Sequence, residues 1–215
     1  YLPMALGAGA VTPMQMAAGY SVFANGGHRV NPYLIAKITD HRGNVLSEFT
    51  PPPVEDLPRA IDARNAFVMD SLLQDVARYG TAAKAQAQLK RPDIYGKTGT
   101  TNDAVDAWFA GFQPTTAAVV WMGYDNPRSL GAREFGGGLS LPIWINYMQH
   151  ALKGVPVTQM QAPGGLVNQG GDWYYEEYAR GTPNLGLDTP IPGATSPVPA
   201  PNAEERNKIL DLFRD

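Results

Sequence analysis

The chain is expected to adopt an α+β fold in which an antiparallel sheet is covered by helices on both faces. Three observations lead there. Three strand-like runs, Ile94 to Thr100, Asp106 to Phe112 and Ala117 to Tyr124, follow one another closely. Their connectors, residues 101–105 and 113–116, are too short for a crossover, so the neighbours run antiparallel. In the middle run Trp108, Ala110 and Phe112 fall on one face and Ala107, Phe109 and Gly111 on the other. Both sets are apolar, which places this strand centrally with cover on each side.

The remaining elements follow from local signals. Thr12-Pro13-Met14-Gln15 opens a helix, with threonine as cap, proline in the first turn and Gln15 closing a capping box. Met16, Ala17, Tyr20, Val22 and Phe23 follow, and Asn25-Gly26-Gly27 stops it. Tyr33 to Thr39 and Val45 to Phe49 flank the turn Asp40-His41-Arg42-Gly43-Asn44, a hairpin signal. Pro51-Pro52-Pro53 is a stiff linker. Asp62 caps a second helix carrying Phe67, Val68, Leu72, Leu73 and Val76, which closes near Gly80. After Gly136-Gly137-Gly138, Ser140 and Pro142 start a third helix reaching about Leu152, with Ile143, Trp144, Tyr147, Met148 and Leu152 as its core stripe. Residues 1–154 are therefore expected to form the folded part. Residues 155–215 are expected to be a Gly/Pro-rich, loosely ordered tail, with a short helix over Asn202 to Phe213.

Composition narrows the function. Hydrophobic residues make up 44% of 215, enough for a core, and a formal net charge of -3 does not suggest a nucleic-acid partner. With no cysteine there are no disulfides, no thiol catalysis and no thiolate-bound metal. His28, His41 and His150 lie far apart without metal spacing, and Asp103 with Asp106 reads as a structural or solvated pair, so no metal or cofactor is expected. Trp173-Tyr174-Tyr175 can stack on a glycan, though a packed loop is the simpler reading. No apolar run approaches the ~20 residues that span a bilayer. The start, Tyr1-Leu2-Pro3-Met4, reads as a cut in mid-domain.

The chemistry concentrates in Gly96-Lys97-Thr98-Gly99-Thr100-Thr101-Asn102. On a strand, Thr98 and Thr100 share one face while Lys97 and Gly99 share the other. Two hydroxyls one pleat apart can both donate to a carboxylate, each such bond to a charged group being worth roughly 1.5–3 kcal/mol. Gly99 leaves room for another backbone. The Thr100 N–H can form one arm of an oxyanion hole, and Lys97 can supply positive charge and hold a neighbouring hydroxyl for proton transfer. A phosphate-binding loop competes for Gly96-Lys97-Thr98, but its first glycine would have to stand at Arg91, and strand-like rather than helical sequence follows.

The stretch Asp93-Ile94-Tyr95-Gly96-Lys97-Thr98-Gly99-Thr100-Thr101-Asn102-Asp103, followed by Asp106-Ala107-Trp108-Phe109-Ala110-Gly111-Phe112, resembles the transpeptidase domain of class A (bifunctional) penicillin-binding proteins. Val11-Thr12-Pro13, Tyr20-Ser21-Val22-Phe23-Ala24-Asn25-Gly26-Gly27 and Pro142-Ile143-Trp144 extend the match over Leu6 to about Leu152. The resemblance implies the penicillin-binding/β-lactamase-like fold and a serine enzyme that cross-links peptidoglycan stem peptides and is acylated by β-lactams. It implies a parent protein with a glycosyltransferase domain, anchored in the inner membrane and facing the periplasm. By position, Lys97 is the motif lysine, Thr98 and Thr100 bind the terminal carboxylate, Gly99 gives clearance, and Lys97 and Thr100 serve catalysis.

One departure is large. Ser21, Ser47, Ser71, Ser129, Ser140 and Ser196 are the only serines; none has lysine three residues later or asparagine two later. The nucleophile is therefore expected on an upstream fragment carrying Ser-x-x-Lys and Ser-x-Asn, without which this piece is inactive and its sheet incomplete. A proteolysed domain whose pieces stay packed, or a deliberately split one, accounts for that. A non-catalytic β-lactam sensor or scaffold on the same fold is the alternative of another class, and a DD-carboxypeptidase or β-lactamase the alternative among hydrolases.

Overall fold

A computed structural model describes residues 7, 9–132 and 134–179. The chain divides into two compact units, Tyr1–Glu176 and Glu177–Asp215. In the first, helix α1 (Pro13–Ala24) is followed by a hairpin of β1 (Lys37–Thr39) and β2 (Val45–Glu48), then α2 (Ala63–Arg78) and α3 (Ala83–Leu89). Next come β3 (Tyr95–Thr100), β4 (Ala107–Gln113) and β5 (Thr116–Met122), helix α4 (Ser140–Ala151), and a last hairpin of β6 (Leu166–Gln169) and β7 (Asp172–Tyr175). The helix expected over Asn202 to Phe213 lies outside the described residues.

The central sheet has the order β3-β4-β5 with both pairs antiparallel. Gly96 faces Gly111 and Thr100 faces Ala107 across the first pair. As expected, β4 is the middle strand, and Phe109, Ala110 and Phe112 are buried. On one face Phe109 meets Trp144 edge-on at 4.9 Å, in a cluster with Leu141, Met148 and Ala77. On the other, Phe112 stacks on Tyr95 at 4.9 Å beside Leu73, Tyr20 and Phe23. Helix α4 thus covers one face and α1 the other, while α2 packs along β3 and contributes to both clusters.

Capping behaves as the sequence implies. Thr12 accepts from the Gln15 N–H and the Gln15 side chain accepts from the Thr12 N–H, completing the box. Asp62 caps α2 through the Arg64 N–H.

Four expectations change. The first hairpin strand begins at Lys37 rather than Tyr33, because its partner runs into Pro51-Pro52-Pro53, which cannot donate to a ladder. Helix α3 was not expected: its seven residues bury only Ala85, and so short a segment carries no periodic signal. On α4, Ile143 and Tyr147 are exposed, while Leu141 and Ile145 join Trp144, Met148 and Leu152 inside. The buried stripe is offset because Ser140 is anchored by its hydroxyl, which donates to the Ala107 carbonyl at 2.7 Å.

The fourth concerns the stretch directly after Gly154, which packs rather than hanging loose. Arg91 donates to the carbonyls of Val155 and Pro156, and the Thr158 N–H donates to Asp93. The β6–β7 hairpin lies on α2, with Trp173 edge-on to Phe67 at 5.0 Å and Arg64 over Tyr175 at 4.7 Å. Gly164-Gly165 and Gly170-Gly171 serve its turns; Gly165, Gly170 and Gly171 have positive φ.

Candidate active site

The Lys97 segment occupies an edge strand beside a groove of about 440 Å³. Cross-strand register sets the faces: Lys97 stands opposite Ala110 and Gly99 opposite Trp108, which in turn stands opposite Trp121. Lys97, Gly99, Trp108, Ala110 and Trp121 therefore floor the groove, and Met16 and Tyr20 of α1 form a wall. Thr98 and Thr100 face the other way, opposite Phe109 and Ala107, and reach the groove at its rim. The alternation read from the sequence holds.

The backbone is as informative as the side chains. The Thr101 N–H donates to the Asp106 carbonyl across the sheet. Because successive peptide groups of a strand point to opposite sides, the Thr100 N–H and the Thr98 carbonyl point to the outer edge. No strand among the described residues pairs with that edge. Lys97 Nζ curls over it, donating to the Thr98 carbonyl at 2.8 Å with Thr98 Oγ1 at 3.4 Å.

The two hydroxyls are already oriented. Thr98 Oγ1 lies 2.7 Å from Thr81 Oγ1, in the turn between α2 and α3. Thr100 Oγ1 accepts from the Gly136 N–H at 3.1 Å, which leaves its own proton to give. Gly136 can make this bond because it has no side chain: a Cβ there would sit 2.7 Å from the Gly99 carbonyl oxygen and against that of Trp108. The loop after β3 is held too. Thr101 Oγ1 accepts from the Asp106 N–H, Ser129 Oγ donates to the Asp103 carbonyl, and Asp106 accepts from the Trp121 indole at 2.6 Å. Asp103 adopts φ 61 within a single 3₁₀ turn, so the pair Asp103 and Asp106 is built into the loop.

The sequence marks Lys97, Thr98, Gly99 and Thr100 as candidates, and the structure brings all four to one groove. It does not mark Thr81, which no local pattern singles out, or Gly136, whose triple-glycine run signals close approach without saying to what. No described serine lines this groove. Ser21, Ser129 and Ser140 donate to the carbonyls of Ala17, Asp103 and Ala107. The histidines are elsewhere: His28 bonds Leu57 and Arg59, His150 bonds Asn146, and His41 sits in the exposed hairpin turn. No helix among the described residues is long and apolar enough to cross a membrane.

Residues 1–149 match the family described as the penicillin binding protein transpeptidase domain. The chain is 46% identical to a penicillin-binding protein 1A of Neisseria lactamica over 95% of its own length, and 49% identical to that of Neisseria flavescens over 87%. It spans about a quarter of the length of these curated relatives. Among solved structures, penicillin-binding protein 1A from Haemophilus influenzae superposes with a TM-score of 0.69 at 31% identity, covering 77% of this chain and 32% of that one.

Proposed function

We propose, on the premise that this chain belongs to the penicillin-binding protein transpeptidase family, that it forms the carboxylate-binding and oxyanion side of a serine DD-transpeptidase active site. One observation carries the reading: the Thr100 N–H and the Lys97 ammonium meet at the open edge of a strand beside a groove, with the Thr100 hydroxyl at the rim of that groove.

In this reading the D-Ala-D-Ala end of a stem peptide lies along β3 as an added strand. Its terminal carboxylate takes the hydroxyl protons of Thr98 and Thr100. A serine from another part of the polypeptide attacks the penultimate carbonyl, giving up its proton to a base beside it. The carbonyl oxygen gains negative charge and is held by the Thr100 N–H, a donor whose loss in such holes costs about 2.7–4 kcal/mol of transition-state stabilisation. The C–N bond breaks and D-Ala leaves with the proton. The amine of a second stem then displaces the serine, forming the cross-link. A β-lactam follows the first half: its ring C–N bond opens and the ester persists. Lys97 orients the proton-carrying hydroxyl and compensates the carboxylate. The atoms nearest to a Cβ added at Gly99 belong to Trp108, the first at 3.2 Å, so the bare glycine leaves that space to an approaching substrate backbone.

No serine among the described residues lines the groove, so the reading places Ser-x-x-Lys and Ser-x-Asn on the remainder of a longer polypeptide, in a parent anchored in the inner membrane with this domain in the periplasm. The test is fluorescent penicillin on the complete protein, with peptide mapping under denaturing conditions. The dye is expected on a peptide outside these 215 residues, and Thr100→Val is expected to slow acylation at least ten-fold. Dye bonded to this chain, or an unchanged rate in the variant, would overturn the assignment.

A further inference from the structure

At the other end of β3, beside Tyr95, α2 carries a group that the fold leaves unused. Asp70 is 2% exposed, and its Oδ1 has no hydrogen-bond partner. It lines a cavity of about 160 Å³ with Phe67, Gln74, Arg78, Tyr95 and Trp173. The neighbouring buried positions of the same helix are Ala66, Leu73 and Ala77. An apolar residue at 70 would pack as they do, whereas a buried carboxyl oxygen without a donor costs stability. The cost is offset if a ligand brings the donor.

The surroundings define that ligand. Phe67 and Trp173 meet edge-on at 5.0 Å and wall the cavity, and the faces of such rings favour cations. Arg78 lies two turns further along α2, about 12 Å by helical rise, and makes no ion pair with Asp70. Tyr95 is bonded by the backbone of Met160. The volume holds about five waters' worth of liquid, enough for an ammonium group on a short aliphatic stem.

We propose that this cavity is a binding site for a small primary ammonium ion, whose N–H donates to Asp70 Oδ1 while its stem lies against Phe67 and Trp173. Burial pushes the Asp70 carboxyl up to about 8, so near neutrality it is protonated, and the ligand displaces that proton into solvent as the ion pair forms. Affinity then rises about ten-fold from pH 6 to 7 and about five-fold from pH 7 to 8. The other ionisable groups facing the cavity are Arg78 from the same helix and Tyr95 from β3; Tyr95, pushed to about 12 by burial and by Asp70, keeps its proton throughout.

The experiment is calorimetric titration of the complete protein with n-propylammonium chloride at pH 6, 7 and 8, in two buffers of different ionisation enthalpy. Tetramethylammonium, which has no N–H, is the control. Expected are saturable binding that tightens about ten-fold from pH 6 to 7 and about five-fold from pH 7 to 8, with release of close to one proton at pH 6 and 7 and about half a proton at pH 8, and at least ten-fold weaker binding of the control. Asp70→Asn, which keeps the shape, and Ser71→Leu, which adds bulk to the cavity lining, are both expected to abolish it. The proposal is overturned by absence of saturable binding at pH 8, by equal binding to Asp70→Asn, or by equal affinity for tetramethylammonium.

Discussion

Substituting Gly136 by alanine tests whether the loop before α4 sets the position of the Lys97 strand. The new Cβ would stand 2.7 Å from the Gly99 carbonyl oxygen, 3.3 Å from the Gly99 N, and against the Trp108 carbonyl. All three are backbone atoms of paired strands, so no side chain can swing away. Restoring ordinary contact with Gly99 alone requires a movement of about 0.7 Å, and overpacking of this kind typically costs 1–3 kcal/mol. The same movement stretches the Gly136 N–H bond to Thr100 Oγ1 from its 3.1 Å. Displacements approaching 1 Å at a reacting group cost up to about 10²-fold in rate. The expected result in the complete protein is a 10- to 100-fold lower β-lactam acylation rate, with a melting temperature lower by only a few degrees. Stopped-flow acylation measures the first and calorimetry the second. An acylation rate within two-fold of the parent would refute the idea that Gly136 positions Thr100.

Other perturbations have equally definite outcomes. Burial pushes the Asp93 carboxyl up, but the Arg91 guanidinium, the Thr158 N–H and the Gln113 amide outweigh it and hold it below the ordinary carboxylate value. Its stabilisation is therefore present above the unfolded value near 3.8 and lost as pH falls through the folded one. Asp93→Asn is expected to destabilise by about 3–5 kcal/mol at neutral pH, and urea titrations of parent and variant should converge as pH falls through the folded-state value. Asp70 has the opposite sign: with its folded carboxyl at about 8, the parent should lose stability relative to Asp70→Asn by about 1.4 kcal/mol per pH unit between pH 4 and 8, read by the same titrations. Phe109→Ala, at a fully buried ring against Trp144, should cost about 3–5 kcal/mol in denaturant unfolding. Thr12→Ala breaks a reciprocal cap and should cost about 1 kcal/mol.

Much of the site was legible because it lies on consecutive residues of one strand. Alternation alone put Lys97 and Gly99 on one face and Thr98 and Thr100 on the other, and the apolar faces of 107–112 fixed the strand beside it. What escaped came from distance in sequence. Thr81 is 17 residues from Thr98 and Gly136 is 36 from Thr100, and nothing in their own neighbourhoods states that pairing. Helix α3 escaped because seven residues with one buried alanine carry no period. Composition reports the glycine and proline content after Gly154, while the order of residues 155–158 comes from Arg91 and Asp93, more than sixty residues away.

The amino-acid sequence by itself determined the three strands of the central sheet, their antiparallel sense and both caps, and it singled out residues 97–100 as the candidate site. These depend on interactions between near neighbours, where periodicity and short connectors leave few choices. The tertiary structure alone decided which edge of β3 stays open, which hydroxyl keeps a proton to donate, and that Asp70 is buried beside a cavity. Each of those depends on a backbone or side chain brought in from far along the chain, and packing, not local preference, selects it.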